Sequence, residues 1–553
     1  MAFFTSSFVL IISFLFTFVF GNPSVKLKST IINGVSVPDV DQEFFGGIPF
    51  AEPPVGSLRF SPPVLRLNPG VPVLNASQYG PACAQGVGFG INASQIESLH
   101  MSEDCLTLNV RRPAGLKFGK ETLVPVMVWI YGGGFQNGAA LQNDGASIVS
   151  RSSERGSPII FVNLNYRLGP FGFPQGSEAR LRGALNTGNK DVLAALAWVQ
   201  ENIEVFGGDK DRVTVFGVSA GAIILSELLL DPNFNLARAA IYESGSPATN
   251  MLFDASRREI VWQAFVSAVP RCSGAPEDDV FECLRNANTE TIINATNYVN
   301  SYIQAEFPFA PVIDGPGGVI PDLPSKLYAQ GRFARTPFIT GTCLDEGTLF
   351  IPTAMNSSEL LRIWIVSNLT APGEIVTDDN PIADEILSLY PNDPTLGSPF
   401  GTGNETFGLN PAFKQAAAAF GDLAFNSLRR ELVQAASDHG VKAFGYVFAD
   451  RLQTNPPFLG VPHGCEIPYL FGSLPDEQAS IFARTLIDYW ISFATSLDPN
   501  DKLGNTSRPT WSQYTTSSKS VMQLERANLA MIPDTFREQQ IAYLIDNAQV
   551  LNH

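Results

Sequence analysis

The segment VFGVSAGAI, Val215 to Ile223, holds Ser219 between Gly217 and Gly221. A serine presented at a tight strand-to-helix turn is a nucleophile for acyl transfer when three partners are present. A histidine takes its proton, a carboxylate orients that histidine, and backbone N–H groups receive the developing oxyanion. The flanking glycines have a mechanical purpose, because residues without Cβ let strand and helix approach closely around a strained turn. The same five residues also describe any glycine-rich strand-to-helix turn, so the partners decide.

WIYGGGFQNG offers the oxyanion donors, since Gly132, Gly133 and Gly134 follow an apolar strand with no side chains between their N–H groups; alone, such a run is also a flexible turn. The base is constrained by there being only four histidines. His553 is the C-terminal residue and is expected to be mobile. His100 precedes Ser219, the wrong side for the chain order nucleophile, acid, base. His439 stands at a helix end before Gly440, the place of a C-terminal cap. His463, in GVPHGCEIPYLFG, follows the last core strand and is the best base. For the acid, GTCLDEGTLF supplies Asp345 and Glu346 after the strand TPFIT. Either carboxylate can hold an imidazole in one tautomer, and either can cap the segment that follows.

These residues need a rigid support. VPVMVWIYGGG, PIIFVNLNYRLG, RVTVFGVSAG, RAAIYESGS, TPFITGTCLDEG and KAFGYVFAD are short apolar runs ending in turn residues. Such runs suit parallel strands covered on both faces. Between them NKDVLAALAWVQENIEVF puts Val192, Leu196, Val199 and Ile203 on one helical face, and EQASIFARTLIDYWISFATSL behaves likewise. The alternation predicts an open α/β sheet, with RVTVF as strand and AIILSELLL as helix around Ser219. The Gly/Pro/Asn-rich stretch 391–412 reads as a surface excursion, and residues 22–553 are expected to form one domain.

The chain opens with an apolar leader, residues 1–21, whose Gly21 suits cleavage before Asn22. No Lys or Arg precedes the apolar run, which at about 18 residues is also long enough for an anchor; cleavage is preferred because it is the commoner use of such a segment. A secreted, extracellular chain without stable membrane insertion is therefore expected. Candidate glycosylation sequons at Asn75, Asn92, Asn294, Asn356, Asn368, Asn404 and Asn505 agree with that compartment. A formal charge of −17 argues against nucleic acid as a partner, while 45% hydrophobic residues with 40 Phe can fill a core and line an apolar cleft. No metal or organic cofactor is called for.

Eight segments then appear in a recognisable order: GGIPFAEPPVGSLRF, SEDCLTLNV, WIYGGGF, NYRLGPFGF, FGVSAGA, YESGSP, DEGT and HGCEIPYLFG. Through them the sequence resembles the type-B carboxylesterase/lipase family, which includes fungal lipases and cholinesterases, from about residue 25 to the C-terminus. The resemblance implies an α/β-hydrolase fold, with a large, mostly parallel central sheet flanked by helices and long insertions. It implies Ser219 as nucleophile, Glu346 as acid and His463 as base, with Gly133, Gly134 and Ala220 as the oxyanion hole. Ser244 is implied as a hydrogen-bond support for the acid, and Val218 and Phe135 are expected to line the pocket of a small-molecule or lipid ester. The family usually has Glu where Val218 stands, and residues 84–104 contain no aromatic but Phe89. A quaternary ammonium thus lacks its main attractions, and neutral, apolar esters are expected. Family disulfides correspond to Cys83 with Cys105 and Cys272 with Cys283. Cys343 and Cys465, close in sequence to Glu346 and His463, are expected to form a third. A non-catalytic adhesion or binding protein on the same fold is the alternative, which the presence of all three triad residues disfavours.

Overall fold

The computed structural model describes residues 22–88, 94, 98–116, 119, 122–276, 279–302, 307–369, 380–472 and 474–553. The leader, Phe89, Asn92 and the side chain of Asn368 lie outside the described residues.

An 11-stranded sheet forms the centre. Its strands in chain order are β1 (Val35–Val37), β2 (Gln42–Pro49), β3 (Thr107–Pro113), β4 (Val124–Ile130), β5 (Ile160–Leu164) and β6 (Gly208–Val218). β7 (Ala239–Glu243), β8 (Phe338–Cys343), β9 (Ala443–Phe448), β10 (Ser520–Leu524) and β11 (Ala530–Pro533) complete it. The spatial order is β11-β10-β9-β8-β7-β6-β4-β5-β3-β2-β1. From β5 to β10 every pairing is parallel, and the six apolar runs read from the sequence fall on six of these strands. The antiparallel edges, β1 to β3 and β11, carry weaker patterns. In β2 a bulge between Phe45 and Ile48 interrupts the two-residue alternation.

β4 explains why such runs are apolar throughout. Val126, Val128 and Ile130 enter one core and Met127 and Trp129 the other, all without exposed surface. The helices concerned are α1 (Thr187–Asn202), α2 (Ala220–Leu228), α3 (Ser358–Leu369), α4 (Pro411–Gly421), α5 (Ser427–Asp438) and α6 (Glu477–Ser496). α1 and α2 cover the first face through Val192, Leu196, Val199, Ile223 and Ile224, and α6 covers the second through Leu486, Tyr489, Trp490 and Phe493. α6 starts where Asp476 accepts the Ala479 N–H at 2.7 Å. Each large side chain so buried stabilises the fold by about 1.5–3 kcal/mol.

Two expectations are corrected. His553 is not mobile: it is 1% exposed, its N–H donates to Ala548 O and its carbonyl accepts from Ser325 Oγ at 2.6 Å. The 391–412 stretch is not wholly superficial. α4 begins inside it at Pro411, and Ser398 is buried because a carboxylate of another loop receives its hydroxyl. His439 does cap α5, its Nδ1 lying 2.9 Å from Ala435 O.

Candidate active site

The site lies beyond the carboxyl ends of the parallel strands, where open α/β sheets leave a crevice. Ser219 links β6 to α2 at φ 54° and ψ −128°, a backbone state costing on the order of 1–3 kcal/mol. It is held by hydrogen bonds at 2.8 Å, from its own N–H to Glu243 O and from Ile223 N–H to its carbonyl. The glycines are required by close approach. A Cβ on Gly132 would stand 2.8 Å from Ser219 Cβ, and one on Gly217 2.6 Å from Ile130 O. Gly133 and Gly134 take φ of 105° and 61°, and the carbonyl of Gly133 accepts from Gln136 and Asn137 N–H, closing the turn. Among the described residues the N–H groups of Gly133, Gly134 and Ala220 donate to no acceptor. Gln85, in the Cys83–Cys105 loop, braces this turn by exchanging two bonds with the Gly138 backbone at 2.9 and 3.0 Å.

Glu346 follows β8 in the turn Glu346–Leu349. Its Oε1 accepts the Cys343 N–H at 2.7 Å, and its Oε2 lies 2.6 Å from His463 Nδ1. Both partners are buried, at 1% and 9% exposure. The choice left open between two carboxylates is thereby made: Asp345 turns away and accepts from Ser398 Oγ, Phe400 N–H and Val461 N–H. Phe350 and Phe425 flank the imidazole with ring centroids 5.0 and 4.9 Å away. Phe425 comes from a π turn, Asp422–Asn426, between α4 and α5, a local widening often found at functional sites. The same turn aims Asn426 at Thr342 and Asp422 at Arg537. Among the described residues His463 Nε2 has no hydrogen-bond partner, so it makes no bond to Ser219.

Behind His463 lies a buried polar cluster that sequence reasoning missed. Glu466 accepts the Cys343 thiol at Oε2 (3.0 Å) and Ser244 Oγ at Oε1 (3.5 Å). Ser244, expected to support the acid, therefore bonds Glu466 and not Glu346. Glu243 accepts from Trp490 Nε1 at 2.7 Å, and its Oε2 has no partner among the described residues. Burial, together with the charge of Glu346, raises the Glu466 pKa above the ordinary carboxylate value. Burial and then Glu466 raise Glu243 well above it. Both are thus biased toward the neutral acid, and the side chain that faces the imidazole is that of Glu346. The only sequence hint was position: Glu466 three residues after His463, and Glu243 within YESGSP.

Two disulfides are present, Cys83–Cys105 and Cys272–Cys283. The expected third is absent, for Cys343 and Cys465 are free and buried. Their sulfurs have different partners: Cys343 donates to Glu466, whereas Cys465 faces Asp450 O and Asn455 Nδ2. Burial raises the Cys343 thiol well above its usual pKa and Cys465 to about 12, so both are inert thiols at neutral pH. Val218 packs in the second core with Trp129 and Phe216. Phe135 is fully buried and packs edge-on to Phe173 and Phe307, so in this structure it supports the wall and does not line it. An apolar cleft of about 260 Å³ is lined by Pro352, Met355, Leu360, Ile363 and Trp364 among others. Ring contacts run from Trp364 through Phe420 and Phe425 to His463. Asn75, Asn294, Asn356 and Asn404 are exposed, whereas Asn505 Nδ2 is engaged by Thr485 Oγ1 at 3.0 Å. Among the described residues no helix is long and apolar enough to cross a membrane.

Comparison with known proteins gives three concordant results. A family model described as "Carboxylesterase family" matches residues 21–544. Lipase 1 of Geotrichum candidum is 35% identical over 93% of each chain, and a secreted triacylglycerol lipase, LIP1, of Gibberella zeae is 34% identical over 96% of this chain and 91% of its own. The crystal structure of Aspergillus niger EstA superposes with a TM-score of 0.81 at 26% identity, covering 96% of this chain and 99% of that one.

Proposed function

We propose, from the premise that this chain belongs to the carboxylesterase family and is a carboxylic-ester hydrolase, that Ser219, Glu346 and His463 form its triad and that it acts on neutral, apolar esters after secretion. The observation that supports this reading is the 2.6 Å contact of Glu346 with His463 Nδ1, which leaves Nε2 unbonded on a ring held between Phe350 and Phe425. His463 Nε2 takes the proton as Ser219 Oγ attacks the ester carbonyl, and Glu346 stabilises the imidazolium. The N–H groups of Gly133, Gly134 and Ala220 receive the oxyanion, and His463 then returns the proton to the leaving alcohol. Water activated by His463 hydrolyses the acyl-enzyme and frees Ser219. Catalytic hydrogen bonds are often long in ligand-free enzymes, so the open Ser219–His463 link closes in the substrate complex.

Val218 in place of a carboxylate and the apolar cleft that includes Trp364 favour uncharged acyl groups. Export is supported by the apolar leader in the sequence and by the secreted Gibberella zeae relative. A fluorophosphonate probe tests the nucleophile: it is expected to label the wild type and not Ser219→Ala, and labelling that survives the substitution sinks the assignment. Glu346→Gln is expected to lower kcat about 10⁴-fold with intact folding. Assay of short- and long-chain acyl esters beside a choline ester checks the specificity, and preferential hydrolysis of the choline ester would refute it.

A further inference from the structure

We propose that Asp345 is a positioning residue that sets His463 against Glu346 by clamping the base loop to the acid loop. The proposal rests on the triad reading above. Asp345 and Glu346 are consecutive, yet their side chains divide the work: Glu346 meets the imidazole, and Asp345 meets the backbone that carries it. Asp345 N–H donates to Val461 O at 3.0 Å, and Val461 N–H donates back to Asp345 Oδ2 at 2.9 Å. This two-bond clamp is closed two residues before His463. Asp345 Oδ1 accepts Ser398 Oγ and Phe400 N–H, both at 2.8 Å, drawing a third loop into the same joint. Thr348 adds a parallel tie, its hydroxyl lying 2.8 Å from Asp345 O and 2.7 Å from Leu459 O.

The surroundings are shaped to this carboxylate. Gly460 has φ 61°, and a Cβ there would run into Asp345 Oδ2 and stand 2.8 Å from Pro399 Cβ. Ser398 N–H donates to Lys414 O, and Arg537 lies over the Phe400 ring at 4.0 Å while paired with Asp422 of the π turn. Asp345 is 2% exposed and its carboxylate receives three donors from two other loops. An acceptor-only group meets that demand; an amide cannot, since it would oppose its own N–H to that of Val461.

Asp345→Asn is therefore expected to lower kcat about 10²-fold with KM nearly unchanged, the penalty for a displaced catalytic base. A second readout is the downfield proton resonance of the His463–Glu346 hydrogen bond, expected to shift or broaden in the folded variant. A folded Asp345→Asn with wild-type kcat and an unmoved resonance overturns the proposal. Should that variant not fold, Ser398→Ala, which removes one donor and leaves the carboxylate, is expected to lose several-fold in kcat, and wild-type kcat there overturns it equally. Activity that survives Ser219→Ala marks a different failure, that of the triad itself.

Discussion

At the residue scale, the environments of single groups matter more than their identities. Cys343 has its backbone N–H on Glu346 and its thiol on Glu466, so one residue touches both the carboxyl group that faces His463 and a buried neighbour. Its sulfur is a hydrogen-bond donor and not half of a disulfide. Alkylation of denatured, unreduced protein is expected to label two of the six cysteines, Cys343 and Cys465, and a linked Cys343–Cys465 peptide in the digest would refute this. In the native state neither should react, because both are buried and their thiolates are disfavoured. Much of the candidate site is legible from single residues, since Ser219, the Asp345–Glu346 pair and His463 stand in motifs of their own. Glu466 and Glu243 are not, because a glutamate that ends up buried reads in sequence like any surface carboxylate.

At the scale of elements, the elbow works because β4, β6 and α2 approach more closely than side chains permit. Gly132→Ala puts a methyl 2.8 Å from both Ser219 Cβ and Val218 O. It is expected to cut kcat about 10²-fold by displacing the nucleophile while the main unfolding transition persists. Gly221→Ala meets the Ile130 carbonyl backbone at the end of β4, so its cost falls on stability as well, about 1–3 kcal/mol of overpacking. Thermal unfolding of the two variants beside their kinetics separates the effects, and wild-type activity in Gly132→Ala would contradict the geometry. These glycines and the apolar strands are readable because turn sterics and the two-faced burial of a parallel strand act over a few residues. The π turn is not readable: its extra residue per turn follows from where Phe425, Asn426 and Asp422 find partners.

At the scale of the whole molecule, the chain's last residue is part of the fold. Burial lowers the His553 pKa from 6.5 to about 3. A group whose folded pKa lies below its unfolded value contributes stability that is whole above pH 6.5 and is lost as pH falls from there toward 3. The melting temperature is thus expected to fall between pH 7 and pH 4. His553→Gln, which cannot take up the proton, is expected to recover up to about 3 kcal/mol of that loss at pH 4. Equal acid sensitivity in wild type and variant, followed by calorimetry across this range, would rule out His553 as a contributor.

Legible in the sequence alone are the local pieces and their order: strand, strained serine turn and helix, the glycine run after β4, and a carboxylate pair followed by a histidine along an alternating α/β chain. Sterics and periodicity act within a few residues, and the strand order carries those pieces to one end of the sheet. The tertiary structure decided which neighbour in Asp345–Glu346 faces a histidine 117 residues away. It also sent Ser244 and Cys343 to Glu466, left Cys465 unpaired, and sealed His553 inside. Successive side chains in a turn point in different directions, and which of them finds a distant partner depends on how whole loops pack.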